Sequence, residues 1–173
     1  LGFSKSLCED NCFNPNCKAA LILGAGGASK AICSKLCSND VKEIFIFDIF
    51  KDKANELKTH LDGFNFTSEV QIIENDNVDD RCKDSNLIVN CTPIGMKDSD
   101  PELINPNSIS SDQCVYDLIY SPPLTKLLYT AKNKGAKYVN GMNMLAYQGA
   151  ESFAIWENVN PPYEIMSKEL SGG

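Results

Sequence analysis

From residue 18 onward, short apolar runs alternate with amphipathic stretches, a pattern that predicts strands separated by helices. Ala19-Ala20-Leu21-Ile22-Leu23 is an unbroken apolar run closed by Gly24, as expected of a strand buried on both faces. Ala28 to Leu36 reads as a helix. Glu43 to Asp48 is a second strand rich in β-formers, followed by a helix over Lys51 to Leu61. Val70 to Ile73 makes a third strand and Val78 to Lys83 a helical turn. Leu87 to Asn90 is a fourth strand, stopped at Thr92-Pro93 because proline has no N–H to give the ladder. Residues 97 to 113 carry Asp, Ser, Pro and Asn without apolar periodicity and read as a loop. Cys114 to Ile119 makes a fifth strand, Leu124 to Lys134 a helix ended by Gly135, and Tyr138-Val139 a short last strand. A final helix over Leu145 to Trp156 is expected to gather Leu145, Gly149, Ser152, Phe153 and Trp156 near one face.

Strands joined by crossover helices imply a parallel sheet covered on both faces, the doubly wound, Rossmann-like α/β class. The expected organisation is an N-terminal segment over 1–17, a dinucleotide-binding domain over 18–141 and a C-terminal helical segment over 142–173.

Composition narrows the partners. With 173 residues and 43% hydrophobic content the chain suits one globular domain with its own core. A net charge of −7, with Arg81 as the only arginine, gives no basic stripe for a phosphate backbone, so nucleic acid is not an expected partner. No run of eighteen apolar residues occurs, so no membrane span is expected. The start, Leu1-Gly2-Phe3-Ser4-Lys5, has neither an initiator Met nor a signal-peptide layout and reads as the beginning of a piece cut from a longer chain. The eight cysteines, at 8, 12, 17, 33, 37, 82, 91 and 114, include no Cys-x-x-Cys pair, and His60 is the sole histidine. No metal site is expected. Cys8 with Cys12, and Cys33 with Cys37, fall four apart on expected helices, where reduced thiols simply pack, as in a cytosolic (cytoplasmic) protein.

Chemistry enters where the first strand hands over to the first helix, at Gly24-Ala25-Gly26-Gly27-Ala28. Gly24 permits a tight turn, Gly26 lets a pyrophosphate approach the backbone, and the helix N-terminus supplies unpaired N–H groups and positive potential. Asp48 closes the second strand, 24 residues after Gly24. There a carboxylate can accept both hydroxyls of an adenosine ribose and would repel a 2′-phosphate, favouring NAD over NADP. Against this, Lys51 and Lys53 follow closely and could pair with such a phosphate if Asp48 turned aside. The plainer reading makes Asp48 the N-cap of the next helix.

Three further strings join the glycine turn: Asn90-Cys91-Thr92-Pro93-Ile94-Gly95-Met96, Asp117-Leu118-Ile119-Tyr120-Ser121-Pro122-Pro123-Leu124-Thr125, and Asn140 to Ala150 with Phe153 and Trp156. In this order they closely resemble the shikimate dehydrogenase family, which includes quinate/shikimate dehydrogenases, over nearly the whole span from Gly2 to Trp156. The resemblance implies the cofactor-binding half of a two-domain enzyme that reduces 3-dehydroshikimate to shikimate with a nicotinamide cofactor, in chorismate and aromatic amino-acid biosynthesis. It also implies that the family's catalytic Lys–Asp pair belongs to an N-terminal substrate domain, with the aspartate falling just upstream of Leu1, so that no catalytic residue is expected in this chain. The 1–17 helix would then link to that domain and the C-terminal helix would pack on it.

Carried over position by position, the resemblance gives Gly24, Ala25, Gly26, Gly27 and Ala28 to the pyrophosphate and Asp48 to the adenosine ribose, with Lys53 nearby. Many family members end the second strand in Asn-Arg-Thr, which suits NADP; Asp48-Ile49-Phe50 departs from that pattern. Thr92, Leu118 and Gly141 would line the nicotinamide side, Met144 would pack near the ring, and Tyr120 and Gln148 would contact shikimate, 3-dehydroshikimate or quinate. From the residues alone, Tyr120 reads equally as a core-edge tyrosine, Gln148 as an exposed helix residue and Met144 as core filler.

Rival readings are an NAD-preferring quinate/shikimate dehydrogenase, a non-catalytic dinucleotide-sensing module, and a glutamyl-tRNA reductase or methylene-tetrahydrofolate dehydrogenase relative, which the Tyr120 and Gln148 strings disfavour. Without a substrate domain, Phe3, Leu7, Phe153 and Trp156 would form an exposed apolar patch prone to self-association.

Overall fold

Six parallel strands form one sheet in the order β3-β2-β1-β4-β5-β6, with β1 Ala19–Leu23, β2 Glu43–Phe47, β3 Glu69–Ile72, β4 Leu87–Asn90, β5 Cys114–Asp117 and β6 Lys137–Val139. The helices are α1 Gly2–Lys5, which runs on as a π turn over Ser6–Asp10, α2 Gly27–Cys37, α3 Lys51–Asp62, α4 Val78–Asp84, α5 Lys126–Asn133, α6 Met142–Glu157 and α7 Tyr163–Ser171. This is a computed structural model, and it describes residues 2–10, 13–158, 160 and 163–171. The strand order reverses direction between β1 and β4, the switch point of a doubly wound, Rossmann-like fold.

Alternation along β1 builds the two sides of the core. Ala20 and Ile22 join a cluster with Ile32, Leu36, Leu57 and Tyr116 on one face. Leu21 and Leu23 join Phe45, Val78, Ile88 and Leu128 on the other. Both faces are covered, which is why the strand reads as an unbroken apolar run.

Several strands stop earlier than their hydrophobicity suggests, each for a local reason. Asp48 leaves β2 because its side chain accepts from Phe50 N, 2.8 Å away, which turns the backbone. Asp117 ends β5 in the same way, accepting from Ile119 N at 3.0 Å. Helix α5 begins two residues after Leu124 because Thr125 is its N-cap, with Oγ1 accepting from Leu128 N at 3.3 Å. Gly135 ends the following turn at φ +76°.

Helix α6 starts at Met142, earlier than the expected Leu145, and buries Ala146, Ala150 and Ala154. Small alanines face inward because α1 and α7 both lie close against α6. The expected exposed patch holds only in part: Phe153 is 40% exposed and Trp156 80%, but Phe3 and Leu7 are buried, at 6% and 0%. Phe3 packs against Tyr116 with ring centroids 5.0 Å apart and planes tilted by 60°, and both Phe3 and Leu7 belong to the core.

Lys5, Glu151 and Tyr163 tie α1, α6 and α7 together. The Lys5 ammonium donates to the Tyr163 hydroxyl, which donates to Glu151, and it lies 3.8 Å from the centre of the Tyr163 ring. Tyr147 meets Tyr163 edge-on at 5.1 Å.

Among the described residues seven cysteines are free, with Cys33, Cys37, Cys82 and Cys114 buried; Cys12 lies outside them, as does Leu1. Among the described residues no helix is long and apolar enough to cross a membrane.

Candidate nucleotide-binding site

At the switch point the C-terminal ends of β1 and β4 run side by side, Leu23 opposite Asn90. Gly24 takes φ +94°, and a Cβ there would lie 2.8 Å from Thr92 Cγ2 and 3.2 Å from the Cys91 carbonyl oxygen. Both the left-handed backbone and the close crossing of the Thr92 turn therefore require glycine. The buried Ser29 hydroxyl donates to Gly24 O at 2.6 Å and closes the turn from below.

Gly26 and Gly27 differ in kind. A Cβ on either would meet no protein atom within 4 Å, and Gly26 has φ −80°, ψ −167°, open to any residue. Packing does not require glycine there, and the bare backbone leaves room for a ligand to approach. Gly26 is also the N-cap of α2 and brings no side-chain hydrogen bond to the first turn, which leaves that end of the helix suited to an anion. Gly24 to Ala28 thus fit the pyrophosphate of a dinucleotide.

The plainer sequence reading of Asp48 fails. Asp48 is not the helix N-cap, which is Phe50. Its Oδ2 accepts from Ala25 N at 2.7 Å and its Oδ1 from Phe50 N at 2.8 Å, so the carboxylate braces the glycine turn from the tip of β2. Each oxygen keeps a second lone pair for a ribose hydroxyl. The carboxylate has not turned aside. Lys51 is ion-paired with Glu74, and Lys53 lies 4.8 Å from the centre of the exposed Phe50 ring. A groove of about 250 Å³ beside this strand tip is lined by Phe47, Asp48, Lys51, Ile72, Ile73 and Glu74.

Sequence reasoning assigned no role to the buried network that shapes the far side of the crevice. Asn90 and Asp117 are register partners on β4 and β5. Asn90 Nδ2 donates to Asp117 Oδ1 at 2.9 Å and to Ile94 O at 3.1 Å, while its Oδ1 accepts from Thr92 N at 2.9 Å and from the Thr92 hydroxyl at 2.7 Å. Thr125 Oγ1 donates to Asp117 Oδ2 at 2.7 Å. Burial raises the Asp117 carboxyl above the usual range, opposed by the Thr125 hydroxyl, Ile119 N–H and Asn90 amide. The signal was present in the sequence as two polar residues ending otherwise apolar strands. Burial pushes the neighbouring Cys91 thiol up to about 12, which leaves it protonated and poorly nucleophilic at neutral pH.

Gly141 carries the third expected string into place. A Cβ on it would fall 2.0 Å from Leu118 O, so only glycine lets the start of α6 cross the backbone after β5. Met144 and Gln148 lie on α6, where the Met144 carbonyl oxygen and Gln148 Cγ stand 2.7 and 3.0 Å from a Cβ placed on Gly2. Met144 packs partly buried against the core. Tyr120 is exposed three residues beyond β5, and Gln148 is exposed.

Comparison with known proteins accords with this geometry. Residues 141–170 match the family model described as the shikimate 5′-dehydrogenase C-terminal domain. The chain is 35% identical over 172 residues to the shikimate dehydrogenase (NADP(+)) of Methanopyrus kandleri, covering 98% of this chain and 59% of that protein. The crystal structure of the Aquifex aeolicus shikimate dehydrogenase superposes with a TM-score of 0.83 at 36% identity, covering 99% of this chain and 59% of that one. The shikimate 5-dehydrogenase of Listeria monocytogenes, solved in complex with shikimate and NAD, superposes with a TM-score of 0.86 at 28% identity, covering 98% of this chain and 61% of that one. The chain thus spans about three fifths of the length of these relatives. With its glycine turn and its switch-point crevice, the chain is similar along nearly its whole length to part of these shikimate dehydrogenases.

Proposed function

We propose that this chain holds the nicotinamide dinucleotide of a shikimate dehydrogenase, with NAD preferred to NADP, for the interconversion of 3-dehydroshikimate and shikimate. The observation that carries the reading is the pair of glycines, Gly26 and Gly27, left without packing neighbours at the uncapped start of α2 beside Asp48. When bound, the dinucleotide supplies the hydride acceptor or donor.

In this reading the open N–H groups at the start of α2 hold the pyrophosphate and the Asp48 carboxylate accepts the ribose hydroxyls. The crevice between Gly24 and the Thr92 turn, with Leu118, Gly141 and Met144, orients the nicotinamide, and Tyr120 and Gln148 face shikimate. The curated relative from Methanopyrus kandleri carries NADP in its name, whereas the Listeria relative was solved with NAD; for this chain the preference for NAD rests on the Asp48 charge alone. We assign no general acid or base among these residues. Asp117, the buried carboxylate nearest the crevice, has both oxygens engaged by Asn90, Ile119 N and Thr125. In the family the acid–base pair lies in the substrate domain, on which α6 and its exposed Phe153 and Trp156 would dock, and the free thiols suit a cytoplasmic setting.

Calorimetric titration of the purified chain with NAD and NADP, alongside an assay of shikimate oxidation, tests the proposal. Binding of NAD, weaker binding of NADP and no turnover by the chain alone are expected. Tighter binding of NADP would contradict the preference, and turnover would contradict the placement of catalysis elsewhere.

A further inference from the structure

Asp48 is not the only charge beside the strand tip. Glu74, directly after β3 and its partner Ile73, lines the same groove and holds the Lys51 ammonium in an ion pair. We propose that Glu74 is a cofactor-specificity residue: by engaging Lys51 and adding a second carboxylate beside Asp48, it denies a 2′-phosphate the Lys51 ammonium that lines the groove. The inference rests on the dinucleotide reading above.

Three observations support it. Lys51 is the first residue of α3, so its stem springs from the point where the chain leaves Asp48, and the helix start adds positive potential there. Lys53, the other nearby cation, leans over the Phe50 ring. Asp48 has each oxygen turned to a backbone N–H, so its charge is partly met by the protein, whereas the described contacts of Glu74 leave it balanced by Lys51 alone. Counting Asp48, Glu74 and Lys51, the groove carries a net −1; neutralising Glu74 brings it to zero and frees an ammonium with three donors.

The pair is two-thirds exposed at each side chain, so it adds little to stability and Glu74→Gln is expected to fold as the parent does. Dissociation constants for NAD and NADP are measured for the parent, Glu74→Gln and Glu74→Gln/Lys51→Gln. NADP affinity is expected to rise about tenfold in Glu74→Gln, an effect of the size a single nearby charge exerts at a partly solvated site. NAD affinity should change less than about twofold, and the double variant should lose the gain. An unchanged NADP affinity in Glu74→Gln, with NAD still bound, would overturn the role of Glu74, as would a gain that survives loss of Lys51. Failure of the parent to bind either dinucleotide would instead overturn the dinucleotide reading, and this inference with it.

Discussion

Asp48 Oδ2 accepts a hydrogen bond from Ala25 N at 2.7 Å, so the acid at the tip of β2 is built into the glycine turn it accompanies. The same carboxylate braces the turn and, in the proposed reading, accepts the ribose hydroxyls. Asp48→Asn should narrow the NAD-over-NADP gap by about tenfold, since it removes a charge and keeps one acceptor. Asp48→Ala should also lower stability by about 1 kcal/mol, because the N–H groups left behind are near enough to solvent to be partly rehydrated. Paired binding and urea-unfolding measurements separate the two effects.

Gly141→Ala should be far more damaging than an ordinary helix-start substitution. Its Cβ would fall 2.0 Å from Leu118 O, so either α6 or the segment after β5 must move, at a cost of about 3 kcal/mol. Chemical denaturation of the variant checks this, and stability equal to the parent would show that the crossing is looser than described.

The Asp117 network gives a pH dependence of defined sign. Burial raises this carboxyl above the 3.8 of a free aspartate, so the folded state binds the proton more tightly than the unfolded one. Its contribution to stability therefore falls as pH rises through 3.8 towards the folded value, and is flat above it. Asp117→Asn should remove that component of the profile. It should also cost about 2 kcal/mol, because an amide NH₂ replaces an acceptor among Asn90, Ile119 and Thr125 donors. Carbon-13 titration of the carboxyl reads the raised value directly; a value at or below that of a free aspartate would contradict it.

Trp156, 80% exposed on α6, should emit at solvent-like wavelengths and be fully open to acrylamide in dilute solution. A blue-shifted, protected emission that does not change with dilution would show that this face is covered within one chain.

The doubly wound parallel sheet and the glycine turn were legible in the sequence because each rests on a local pattern: continuous apolar runs for a doubly covered sheet, and glycines where strand meets helix. Other features were not, because they depend on what comes near in space. Nothing local distinguishes Gly24, which Thr92 forces to be glycine, from Gly26, which no protein atom does. The inward face of α6 could not be read locally, because it is the close packing of α1 and α7 that selects Ala146, Ala150 and Ala154. The burial of Phe3 depended on Tyr116, far along the chain. The Asn90–Asp117 pair required the β4–β5 register.

The central claim, that the glycine turn is shaped for a ligand, is tested most directly by Gly26→Ala, with dinucleotide affinity and unfolding free energy measured on the same preparation. The added methyl meets no protein atom within 4 Å, on a backbone that alanine adopts freely, so stability should change by less than about 1 kcal/mol. NAD affinity should nevertheless fall by about a hundredfold, the methyl standing where the pyrophosphate must approach the backbone. Undiminished NAD binding by a fully folded Gly26→Ala protein would contradict the account.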